Sequence, residues 1–140
     1  MTLAEELKGR GLIEHASTPP EQIFSAPRTV YLGIDPTADS LHVGHLVPIL
    51  LMKRLGDAGN TLIFLIGGAT GQIGDPKEKG ERTMLDEKTV AANIRALKKQ
   101  LKSLLGTLPF KMVDNADWLM KVKFVPFLRD VGTYFTVNDL

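Results

Sequence analysis

The residues best placed to do chemistry are two histidines, His42 and His45, which flank Val43 and Gly44 and follow a short β-branched run, Thr29 to Ile34, and the turn Asp35-Pro36. On a helix, a spacing of three puts both imidazoles on one face. At a helix start, free backbone N–H groups and the positive end of the dipole also favour phosphate. Gly44 has no side chain, so a flat base or ribose can approach the backbone there. These features suit a nucleotide. The alternative for an H-x-x-H pair is two surface or capping histidines, and for Asp39 and Ser40 just upstream the expectation is helix N-capping.

A second chemical stretch is Gly67-Gly68-Ala69-Thr70-Gly71-Gln72-Ile73-Gly74-Asp75-Pro76, which follows the apolar run Thr61 to Ile66. It matches neither G-x-x-x-x-G-K-[ST] nor G-x-G-x-x-G, so any nucleotide must be held by another device. The chain has no cysteine and only three histidines, His15, His42 and His45, which excludes disulfides and thiolate metal sites and makes a structural metal unexpected. A formal net charge of +1 gives no overall pull toward nucleic acid. With Glu5, Glu6 and Glu14 near the start, and no apolar run long enough to span a membrane, neither a secretory signal nor a transit peptide is expected, and a cytoplasmic location is the default.

The elements that must position these residues follow from periodicity. Thr2 with Glu5 forms a capping box for a short helix that buries Leu3 and Leu7 and ends at Gly9 and Gly11, and Thr18-Pro19-Pro20 closes this segment. Thr29 to Ile34 and Thr61 to Ile66 are expected to be parallel strands buried on both faces. Between them, His42 to about Asp57 is apolar almost all round, as a buried crossover helix would be, with Pro48 inside it removing the hydrogen bond to the Gly44 carbonyl. From Asp86 to Leu105, Val90, Ile94, Leu97, Leu101 and Leu104 make an apolar helix face ending at Gly106. Its Lys88, Arg95, Lys98, Lys99 and Lys102 make a solvated basic face rather than an RNA track. Phe110 to Val113 is a third strand, and Trp118 to about Asp130 is helix interrupted near Pro126. Strand, helix, strand, helix, strand gives a right-handed α/β unit of the Rossmann kind, in which ligands sit beyond the C-terminal ends of the strands.

His42-Val43-Gly44-His45 resembles the HIGH signature of class I aminoacyl-tRNA synthetases. The longer string from Gly33 to Leu46, together with Gly67 to Pro76 and Glu81-Arg82, looks like the bacterial tyrosyl-tRNA synthetase family, and the likeness runs to Phe135-Thr136-Val137-Asn138. The resemblance implies a Rossmann-like parallel sheet with crossover helices, the first half of a class I catalytic domain. Residues 1–28 would be an N-terminal helical segment and 29–140 the α/β nucleotide-binding half. The mobile KMSKS loop and the tRNA-binding regions would lie outside the 140 residues, so a truncated catalytic domain is expected.

The family's reaction is ATP-dependent activation of tyrosine to tyrosyl-adenylate, then transfer to tRNA(Tyr). Carried over residue by residue, Tyr31 would meet the phenolic hydroxyl of tyrosine and Asp75 its ammonium group, with Thr70 and Asn115 around the same pocket. Gly33 and Asp35 would meet the adenylate, Leu32 would face the ribose, and Lys79 and Arg82 would lie near the pyrophosphate. His42 and His45 would stabilise the transition-state phosphates. The implied partners are L-tyrosine, ATP with its accompanying Mg2+, and tRNA(Tyr), in a homodimer without a tightly bound cofactor. Tyr31 as a core aromatic and Asp75 as a turn residue are the structural alternatives. Other functional readings are a tryptophanyl synthetase or nucleotidylyltransferase of the same superfamily, or a non-catalytic nucleotide- or RNA-binding module.

Overall fold

A computed structural model describes residues 2–73 and 85–135. The elements in chain order are α1 (Leu3–Gly9), α2 (Pro20–Ile23), β1 (Thr29–Ile34), α3 (Val43–Asp57), β2 (Thr61–Ile66), α4 (Thr70–Ile73), α5 (Glu87–Leu105), β3 (Phe110–Asp114), α6 (Ala116–Leu119), α7 (Phe124–Asp130) and a 3-10 turn at Gly132–Tyr134. Thr2 caps α1 through the capping box with Glu5, and Leu7 is buried.

The three strands form one parallel sheet in the order β1-β2-β3. Right-handed crossovers that step the same way across a sheet place their helices on the same face. Accordingly α3 and α5 cover one side. There Val30, Leu62 and Phe110 lie in register, as do Leu32, Phe64 and Met112. They pack against Ile49, Met52 and Leu55 of α3 and Leu97, Leu101 and Leu105 of α5. Phe64 meets Phe110 edge to face, with ring centroids 5.4 Å apart.

The other side of the sheet is open among the described residues. Tyr31, Ile63 and Lys111 form one row there, and Gly33, Leu65 and Val113 the next. The expectation that β1 is buried on both faces is therefore corrected: its residues alternate, and Tyr31 is 73% exposed. The alternation also places Leu32, half-buried, against the core on the face opposite Gly33.

The helices need similar corrections. Only Ile49, Met52 and Leu55 of α3 are buried, whereas Val43, Val47 and Leu50 are exposed, because one side of the helix meets the sheet and nothing described covers the other. In α5 the last buried position is Leu105, not Leu104, since a 3.6-residue turn carries the stripe from Leu97 through Leu101 to Leu105. Asp86 caps α5 by accepting from Thr89 N, and Gly106 ends it with φ +63°, a left-handed conformation that favours glycine. The interruption expected at Pro126 instead falls at residues 120–123, between α6 and α7. Pro126 sits in the first turn of α7, where its missing N–H has no helical partner to lose.

Candidate functional site

At the tip of β1 the carboxylate of Asp35 accepts from the Thr70 hydroxyl at 3.1 Å, and Thr70 Oγ1 in turn accepts from Asn115 Nδ2 at 3.0 Å. Asn115 Oδ1 accepts from Ala69 N at 2.8 Å. These bonds tie the tips of all three strands together. With Gly33, Ile34, Leu65 and Gly67, the three side chains line a recess of about 290 Å³. The structure thus brings Gly33, Asp35, Thr70 and Asn115 to one place. A Cβ on Gly33 would meet nothing within 4 Å, so the backbone there is open to a ligand.

The glycines after β2 act through close approach. A Cβ on Gly67 would lie 1.7 Å from Asp35 Oδ1, and one on Gly68 would lie 2.2 Å from Asp114 Oδ1. Asp114 Oδ1 accepts from both Gly68 N and Ala116 N, joining the tips of β2 and β3. Asp114, which sequence reasoning missed, does not line the recess but holds the backbone beside it.

His42 and His45 cap the start of α3, their rings in contact with centroids 3.8 Å apart and planes tilted by 36°. His42 Nδ1 accepts from Gly44 N at 3.1 Å, and His45 Nδ1 accepts from His42 N at 3.2 Å. The cap is therefore His42, and the N-capping role expected of Asp39 and Ser40 is not theirs. Both Nδ1 atoms are acceptors, so in the neutral rings the proton sits on Nε2. Two backbone N–H groups expected to face a phosphate are thus occupied, and donor capacity moves out to the Nε2–H groups. Burial, and then the neighbouring His42, hold the His45 imidazole below its ordinary pKa, favouring the neutral form. The space left by Gly44 is used by the His42 ring, since a Cβ there would lie 2.9 Å from His42 Cε1.

The loop joining Asp35 to His42 is held from α5. Asn93 Nδ2 donates to the Pro36 carbonyl at 2.9 Å, and Asn93 is buried. Gln100 Nε2 donates to the Asp39 carbonyl at 2.8 Å, while Gln100 Oε1 accepts from Leu41 N at 2.9 Å. Sequence reasoning missed both residues. The available signal was a polar residue, Asn93, three after Val90 and four before Leu97 on an otherwise apolar stripe. His42 itself lines a separate groove of about 350 Å³ with Leu41, Val43, Leu46, Ile49, Gln100, Ser103 and Leu104.

Tyr31 lies on the open sheet face two residues before Gly33 and does not line the recess. Asp75, Lys79 and Arg82 lie outside the described residues. The expected meeting of Tyr31 with Asp75 in one cavity therefore falls outside what the structure describes.

A parallel sheet with a polar recess at its strand tips and an H-x-G-H helix start after its first strand defines a Rossmann-like unit of the class I synthetase kind. The chain belongs to the family of class I tRNA synthetases (W and Y), whose model matches residues 25–140. It is similar to the tyrosine–tRNA ligase of Corynebacterium diphtheriae, 48% identical over 146 residues that take in 100% of this chain and 34% of that protein. It is likewise 48% identical to tyrosine–tRNA ligase 1 of Vibrio vulnificus strain YJ016, over 99% of this chain and 34% of that protein. The crystal structure of a C-terminally truncated mitochondrial tyrosyl-tRNA synthetase of Aspergillus nidulans matches with a TM-score of 0.75 and 28% identity, covering 97% of this chain and 43% of that one. The chain therefore spans about a third of the length of these curated relatives.

Proposed function

We propose that this chain is the N-terminal part of a cytoplasmic, homodimeric tyrosine–tRNA ligase and carries half of the site that makes tyrosyl-adenylate. The observation that carries this reading is the recess of Gly33, Asp35, Thr70 and Asn115 at the strand tips, in a chain similar over its whole length to tyrosine–tRNA ligases. Tyrosine would lie along the open sheet face. Tyr31 would meet its phenol, Thr70 and Asn115 would border its pocket, and Asp75 would meet its ammonium group. The adenosine would meet Gly33 and Asp35, and Gly44 once the His42 ring that fills the space beside it turns toward the phosphates, and Lys79 and Arg82 would approach the pyrophosphate.

The tyrosine carboxylate attacks the α-phosphorus of ATP in line; the new C–O–P linkage forms as the bond to pyrophosphate breaks. His42 and His45 contribute as Nε2–H donors to the phosphate oxygens rather than as bases, because the carboxylate is already ionised and stabilising developing charge is what lowers the barrier. Among the described residues no three His, Asp or Glu side chains gather as a metal site. In this reading Mg2+ arrives on the phosphates of ATP as part of the substrate. Transfer of tyrosine to tRNA(Tyr) would follow, using regions beyond this chain.

The test is pyrophosphate exchange by the complete protein. Exchange stimulated by tyrosine is the expected result. Stimulation by tryptophan alone would replace the reading with the other specificity that the family description covers. Tight binding of structured RNA with no affinity for ATP would favour a non-catalytic module.

A further inference from the structure

We propose that Asn93 and Gln100 of α5 are positioning residues that fix the His42–His45 pair relative to Asp35 by clamping the two ends of the loop between β1 and α3. The inference rests on the adenylate-forming reading above. The two residues are seven apart, two helical turns, and so share one face of α5. Between them Leu97 is buried in the core, which anchors that face against the sheet.

The clamp acts at three backbone groups. Asn93 holds the Pro36 carbonyl, immediately after Asp35. Gln100 pairs with residues i and i+2 of the loop, donating to Asp39 O and accepting from Leu41 N, as a neighbouring strand would. Leu41 directly precedes the cap His42, whose own N–H is held by the His45 ring. The backbone of Leu41 alone therefore separates the group that Gln100 holds from the His42 N–H that the His45 ring accepts, and the His42 ring accepts from Gly44 N one turn on. On the other side, Asp35 is fixed by Thr70.

A nucleotide that contacts both Asp35 and the Nε2–H groups would span this loop, so the loop's conformation sets whether those donors meet the phosphate at the transition state. Misplacement by about 1 Å far from the reacting atoms can cost on the order of 100-fold in rate. Tyrosine on the open face of the sheet touches none of the clamped groups. Loosening the clamp should therefore lower kcat for activation and leave KM for tyrosine little changed.

The test compares Gln100→Ala, Gln100→Glu and the exposed-face control Lys99→Ala in the complete protein, by tyrosine-dependent pyrophosphate exchange per active site. Gln100→Ala is expected to lower kcat by about 10- to 100-fold. Gln100→Glu keeps the acceptor for Leu41 N but sets a carboxylate oxygen against the Asp39 carbonyl in place of the donor, so it should not restore the rate. In a His45→Ala background, Gln100→Ala should cost less than it does alone, because one of the two imidazoles that the clamp positions is already gone. The ring resonances of His42 and His45 read the clamp without turnover and should move in Gln100→Ala but not in Lys99→Ala. Absence of tyrosine-dependent exchange in the unsubstituted protein would overturn the functional reading, while the resonances would still test the clamp. Unchanged kcat and unchanged resonances in Gln100→Ala, or losses that simply multiply with His45→Ala, would overturn the inference.

Discussion

Gly67 and Asp35 share a space that holds only one of a carboxylate and a methyl group: a Cβ on Gly67 would lie 1.7 Å from Asp35 Oδ1 and 2.6 Å from Thr70 Oγ1. The Asp35–Thr70–Asn115 hydrogen bonds that tie the strand tips together exist because β2 is followed by a residue without a side chain.

Gly67→Ala should therefore displace Asp35 and break its bond to Thr70. Overpacking of this kind costs about 1–3 kcal/mol. Urea unfolding should show a lower midpoint with an unchanged slope, and ATP affinity of the complete protein should fall with it. A variant as stable as the original, with Asp35 still bonded to Thr70, would show that the loop gives way cheaply.

The His45 imidazole gives a pH dependence with a definite sign. Its folded pKa lies below the ordinary value, so the unfolded chain binds more protons between the two. The contribution to stability is fully present above about pH 6.5 and is lost as pH falls toward the folded value. The His45 Cε1–H resonance should titrate with a midpoint below that of a free imidazole, and His45→Gln should flatten the acid side of the stability profile. A midpoint above the ordinary value would contradict the cap geometry in which its Nδ1 is an acceptor.

Leu101 and Leu104 separate the buried from the exposed side of α5, being 0% and 38% exposed. Leu101→Ala should destabilise by about 2–5 kcal/mol, through lost transfer energy and the cavity left behind. Leu104→Ala should cost well under half as much. Equal losses would mean that further chain covers Leu104 in the complete protein.

Tyr31→Phe should leave stability within about 0.5 kcal/mol, because the side chain is mostly exposed. In the complete protein it should weaken the preference for tyrosine over phenylalanine by about 1–3 kcal/mol, the cost of removing one partner from a polar pair that the substrate buries. Unchanged discrimination would move the phenol-binding role to another residue.

By itself the sequence determined the three strands, the main crossover helices and the chemical stretches, because these are local. β-branched runs ending in Asp35-Pro36 and Gly67-Gly68, the apolar stripe through Leu97 and Leu101, and the capping box at Thr2 state their periods within a few residues. Gly33, Asp35, Thr70 and Asn115 were named by the resemblance to the tyrosyl family, while the strand-tip rule said only that a ligand would meet the sheet at that end. Tertiary structure decided what depends on partners distant in sequence. Which sheet face is open depends on the direction of both crossovers, and this exposed Tyr31 and turned Leu32 into the core. That His42 rather than Asp39 or Ser40 caps α3 depended on a ring folding back into the space Gly44 leaves. Asn93 and Gln100 reach loop residues 57 to 61 positions away, and no local pattern in α5 names the carbonyls they hold.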